Sequence, residues 1–146
     1  MLGGMSRQPR GVNGWDEILA HRTPDTRAPV RERFESAGVT PELVRTALAD
    51  GGDQLFAAVT GGAPGWAEPF GGPLAVALIA AEVSALTAHL TSRASAVRAI
   101  AVEALLDDYS AVTVAGRLGV SRQKVYDIAR PHPAVSFIDH APWRLP

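Results

Sequence analysis

The sequence predicts an all-α fold, and three observations predict it. Apolar residues recur three and four apart through most of the chain outside its glycine- and proline-rich stretches. Ser, Thr, Asn or Asp stands ahead of these segments and glycine behind them, the order in which helices are capped and stopped. One stretch, Leu74 to Leu90, is apolar on nearly every side, which suits a helix at the centre of a fold or shared with a second copy. The expected layout is an arm over residues 1–12, a helical N-terminal region over 13–60 and a Gly/Pro-rich loop over 61–73. A long apolar central helix with a compact C-terminal three-helix unit covers 74–130, and a tail follows over 131–146.

In order, the arm MLGGMSRQPRG has nothing to bury and reads as a floppy terminus or a basic arm tracking the minor groove or phosphates. Trp15, Ile18 and Leu19 make a short amphipathic helix with Asn13 as its cap, ending before the turn-rich HRTPDTRAP. Helix resumes over Val30 to Ala37 and stops at Gly38. Thr40 and Pro41 then start another as cap and first-turn proline, buried through Leu43, Val44, Ala47 and Leu48. Gly51 and Gly52 end it, and Asp53 caps a short helical turn carrying Leu55, Phe56 and Val59.

The stretch GGAPGWAEPFGGP excludes long regular structure, and its Trp66 and Phe70 either dock the loop on the helical body or line a pocket. Beyond it Val76, Ile79, Val83, Leu86 and Leu90 alternate steps of three and four, with Leu74 and Leu78 widening the apolar surface. Interrupted by Glu82, this run is expected to be too short to span a bilayer. Ala94 to Tyr109 is expected to support the C-terminal unit through an inward stripe of Val97, Ile100, Ala101, Ala104 and Leu105. Whether it continues the preceding helix or breaks from it near Thr91 and Ser92 is open.

The informative stretch is Ser110 to Arg130, SAVTVAGRLGVSRQKVYDIAR. Ser110 caps a helix whose buried face is Val114, Ala115 and Leu118. Gly119 turns the chain in a left-handed conformation, Val120 plugs the turn, and Ser121 caps a second helix buried through Val125 and Ile128. Arg122, Gln123, Lys124, Tyr126 and Arg130 are left for the outer face. These side chains suit a duplex: Arg pairs with guanine edges, Gln with adenine, and Lys meets a phosphate as a point charge. Asp127 interrupts them, and either turns aside to pair with Lys124 or Arg130 or limits groove entry to the N-terminal end of the helix.

Over these twenty-one residues the chain resembles the bacterial helix-turn-helix DNA-binding proteins, and LGVSRQKVY is similar to the turn and recognition-helix start of many bacterial regulators and resolvases. The resemblance implies sequence-specific binding of double-stranded DNA, with Arg122, Gln123 and Tyr126 toward base edges and Ser121, Lys124, Arg117 and Arg130 toward phosphates. It implies a transcriptional regulator acting as a homodimer. The alternatives are a module docking on polymerase, a toxin or another regulator, with the N-terminal region supplying a partner surface, or an accessory factor in recombination or plasmid maintenance.

Charge fits that division. The 146-residue chain has a net charge of −1 overall. From Ser110 onward, however, five cations face two carboxylates, whereas Gly38 to Thr91 holds one Arg against five acids. No cysteine is present, which excludes thiolate catalysis and cysteine-held zinc. Glu82 and His89, seven apart, lack a third ligand at helical spacing, and His132 and His140 are not at ligand spacing. No phosphate loop or nucleophile–histidine–acid set appears, so no enzyme activity, cofactor or metal is expected. The N-terminus lacks an apolar core of a signal peptide, and a cytoplasmic protein is expected. A single Lys among fourteen basic residues, with abundant Ala, Gly, Val and Arg, fits a GC-rich bacterial coding sequence. The tail residues Phe137, Ile138, Trp143 and Leu145 are expected to pack on the body or a partner subunit, with a short strand or extended arm over Ala134 to Ile138.

Overall fold

The computed structural model describes residues 14–130, and among them every regular element is helical. The expectations for the N-terminal arm, the Asn13 cap, the tail and its strand fall outside the described residues. Seven α-helices follow in order: α1 (Gly14–Ile18), α2 (Pro24–Ser36), α3 (Pro41–Ala49), α4 (Asp53–Gly61), α5 (Pro73–Asp108), α6 (Ala111–Leu118) and α7 (Arg122–Ala129). A 3-10 turn, Glu68–Phe70, lies between α4 and α5. The described residues form two compact units that divide within α5, between Thr87 and Ala88.

The first unit is built on α1 to α4 and the N-terminal half of α5. Trp15 of α1 stacks on Phe34 of α2 with ring centroids 5.4 Å apart, and Ile18, Leu19 and Val44 are completely or almost completely buried. α2 begins six residues earlier than the spacing of its apolar residues predicts. Pro24 takes the first-turn position where a missing N–H costs nothing, while Pro29 deletes only the bond to the Asp25 carbonyl. The Arg27 guanidinium draws this start inward by donating to the carbonyls of Leu19, Ala20 and Arg22. α3 starts as expected, with the Thr40 hydroxyl accepting from the Leu43 N–H. At α4 the cap is Asp50 rather than Asp53. Its carboxylate accepts from the N–H groups of Gly52, Asp53 and Gln54, a reach that Gly52 permits by taking a left-handed backbone. Trp66 and Phe70 are both half-buried. Phe70 lies with Leu43, Ala47, Leu55 and Ile79 around a cavity of about 210 Å³, so this ring both meets the helical body and lines a pocket.

α5 is one unbroken helix of 36 residues, with no interruption at Thr91 or Ser92. Its length changes one expectation: a window of 18 residues has mean hydropathy 1.7, long and apolar enough to cross a membrane by length and composition alone. In the first unit the helix buries Ala75, Val76, Ile79, Glu82 and Leu86. Val83 is only half-buried, because it opens on a groove with Phe56 and Val59 of α4.

The second unit comprises the C-terminal half of α5 with α6 and α7. Its core is Val102, Val114, Ala115, Val125 and Ile128, flanked by Leu106, Val120 and Ala129. The inward stripe of α5 is therefore not the expected one. Val97 and Ile100 are 67% and 69% exposed, and Ala101, Ala104 and Leu105 are exposed as well. Ala99, Val102 and Leu106 take the inner side instead. Leu118, expected inward on α6, is also exposed.

Candidate nucleic-acid interface

The α6–α7 hairpin is set by local chemistry at three points. Ser110 and Ser121 hold extended backbone at the two helix starts, and their hydroxyl oxygens accept from the N–H groups of Thr113 and Lys124, each satisfying one donor without a helical partner. Between them Gly119 adopts φ +70°, and the Val120 N–H returns to the Ala115 carbonyl at 3.1 Å. That six-to-one bond closes α6 and tucks Val120 beneath the turn. Val114, Ala115, Val125 and Ile128 then lock the helices together on one side.

Locking the inner side fixes what faces outward. Ser121, Arg122, Gln123, Lys124, Tyr126 and Arg130 are all exposed. With 3.6 residues per turn, Gln123, Tyr126, Asp127 and Arg130 form the ridge opposite Val125 and Ile128, and Arg122 and Lys124 stand on its two shoulders. The first turn of α7 holds no acidic residue. Helix-dipole chemistry favours acids there, so the two cations Arg122 and Lys124 serve an external anion better than they serve α7 itself.

Asp127 sits on that outer ridge rather than to one side. Its carboxylate accepts from the Arg130 guanidinium at 3.1 Å and, at the long limit of 3.5 Å, from the Gln123 amide. Of the two partners weighed for it, Arg130 is the one engaged. The pair is exposed and worth little in stability, but Asp127 links two of the candidate DNA-binding side chains, Gln123 and Arg130. Arg117, at the last turn of α6, is exposed and stands over the Tyr109 ring at 5.5 Å, a cation–π contact at the negative end of the helix dipole.

The second group of polar residues, in the first unit, gave no signal in the sequence beyond Glu82 itself. The Glu82 side chain is 1% exposed, and its two oxygens accept from Nε and a terminal nitrogen of Arg22, each at 2.9 Å. His21, equally buried, donates from Nε2 to the same carboxylate, since an ionised carboxylate can only accept. Burial pushes the Glu82 carboxyl upward, but the His21 and Arg22 donors outweigh it and hold it below its usual value. In turn the hydrogen bond to Glu82 raises Arg22. The carboxylate is thus held by residues 61 and 60 positions away in sequence. All three side chains meet at the Glu82 carboxylate, which ties the α1–α2 connection to α5, while the Nδ1 of His21 is buried without a hydrogen-bond partner. Among the described residues no set of three His, Cys, Asp or Glu side chains is placed to hold a metal ion.

Comparison of the chain with protein-family models, with curated proteins and with solved structures found no match in any of the three.

Proposed function

We propose that this protein binds double-stranded DNA with sequence preference, through the outer face of α7, in transcriptional control. The observation that carries the reading is the simultaneous exposure of Arg122, Gln123, Lys124, Tyr126 and Arg130 on a helix whose other side is locked by Val125 and Ile128. A helix this short, eight residues, presents its cap and first turn to a groove together. Gln123 and Tyr126 on the ridge, with Arg122 at its shoulder, are assigned to base edges. Ser121, Lys124, Arg117 and Arg130 are assigned to the backbone. The Ser121 oxygen accepts from the Lys124 N–H, which leaves its hydroxyl hydrogen to donate to a phosphate.

Selection of bound fragments from sheared genomic DNA tests this. A recovered motif whose enrichment is lost on Gln123→Ala supports it. Failure to retain any duplex at low salt contradicts it and favours the docking module, for which the exposed Phe56 and Val59 of α4 would be the surface to examine.

A further inference from the structure

We propose that a second copy of this chain docks antiparallel along the outer face of α5 between Arg93 and Asp108. Within the second unit, Val102 and Leu106 face the core made with α6 and α7, and the opposite side of the same helix is apolar and exposed. Val97, Ile100, Ala101, Ala104 and Leu105 fall on this side at steps of three, one, three and one, a continuous stripe on a 3.6-residue helix. Ile100 is 69% exposed and Val97 67%, the values of surface residues. A stripe of this kind marks an interaction surface.

The charges bounding the stripe select the occupant and its direction. Arg93 lies at its N-terminal end and Asp108 at its C-terminal end, with Arg98 and Glu103 along the edges. Two copies side by side in parallel would set Arg93 against Arg93 and Asp108 against Asp108. With the copies turned antiparallel about the midpoint between Ile100 and Ala101, the cationic N-terminal half of one stripe, Arg93 and Arg98, runs along the acidic C-terminal half of the other, Glu103 and Asp108, with Arg93 nearest Asp108 at both ends. The same rotation places Val97 opposite Ala104 along the middle of the stripe and brings the two copies of Ile100 together at the axis. The axis generates a self-complementary, closed dimer from one surface. The contact runs about 22 Å along the helix, at 1.5 Å per residue, the low end of interface sizes. The dimer therefore dissociates on dilution.

The test uses the full chain without DNA, so its outcome is separate from that of the DNA-binding proposal. Sedimentation equilibrium across a concentration series is expected to show a monomer–dimer exchange. Ile100→Glu, on an exposed position, is expected to give monomer throughout with unchanged helical content. Direction is read by cross-linking, since the chain has no cysteine of its own. Under oxidation, Val97→Cys mixed with Ala104→Cys is expected to yield the mixed disulfide dimer, with little linking of either variant to itself. Self-linking of each variant in preference to the mixture would mean parallel pairing and overturn the proposal. A monomer at every concentration would overturn it too, and would leave the stripe to the chain's residues 131–146 or to a different protein.

Discussion

Asp127 accepts from Arg130 at 3.1 Å, so the one acid on the outer ridge of α7 neutralises a cation assigned to DNA. The pair is exposed, and its loss changes folding stability little. Asp127→Asn removes a charge that repels phosphate and frees Arg130. Affinity for all duplexes is expected to rise, and the log–log salt slope to steepen by about one. Anisotropy titrations over a salt series read both. Weakening confined to one base pair would instead make Asp127 a reader of that pair.

Glu82 ties the start of the chain to α5 through a carboxylate that is almost fully buried. Arg22→Met leaves that carboxylate with His21 alone, and is expected to destabilise the fold by about 3–5 kcal/mol in urea titrations. Because the folded-state pKa of Glu82 lies below its usual value, its contribution is present above the usual carboxylate range and is lost as pH falls through the lower folded value. Glu82→Gln should therefore narrow the stability difference from the parent protein as the pH is lowered through that range.

Gly119 has φ +70° and nothing within 4 Å of where a Cβ would stand. Gly119→Ala is consequently a purely conformational test of the turn. It should cost about 1–2 kcal/mol, measured by thermal or urea unfolding, without disturbing the Val114–Val125 core. A neutral effect would mean that the hairpin is not held by its left-handed glycine.

The two caps separate folding from binding. Ser110→Ala and Ser121→Ala each remove a hydroxyl that satisfies a first-turn N–H and should each lose about 1 kcal/mol of stability. Only Ser121→Ala is also expected to lower DNA affinity, at a temperature where both variants are fully folded. Equal affinities for the two would remove Ser121 from the interface.

How much of this could be read from the sequence depended on how local the signal was. The α6–α7 hairpin was legible in all but Leu118, which faces outward, because Ser110, Gly119 and Ser121 act on their own neighbours and Val125 and Ile128 are separated by less than a turn. Asp50 was missed as the α4 cap because Gly51 and Gly52 allow the chain to fold back over three residues, and Asp53 lies nearer the apolar run. The α5 stripe was assigned to the wrong side for a different reason. With apolar residues on both sides, spacing shows that two faces exist but not which one meets α6 and α7, because Val97 and Ile100 outside match Val102 and Leu106 inside in size. The Glu82 pairing was invisible, since nothing near it in sequence announces His21 and Arg22. The same holds for continuity through Thr91 and Ser92, where two residues that often cap helices are accommodated inside one.

The most direct measurement is a paired titration of Gln123→Ala and Lys124→Ala against a selected site and against single-base variants of it. If α7 enters the groove by its outer ridge, Gln123→Ala relaxes discrimination at one base pair by about 1–3 kcal/mol, whereas Lys124→Ala weakens every duplex alike and flattens the salt slope by about one. Equal losses on every sequence for both substitutions would contradict it.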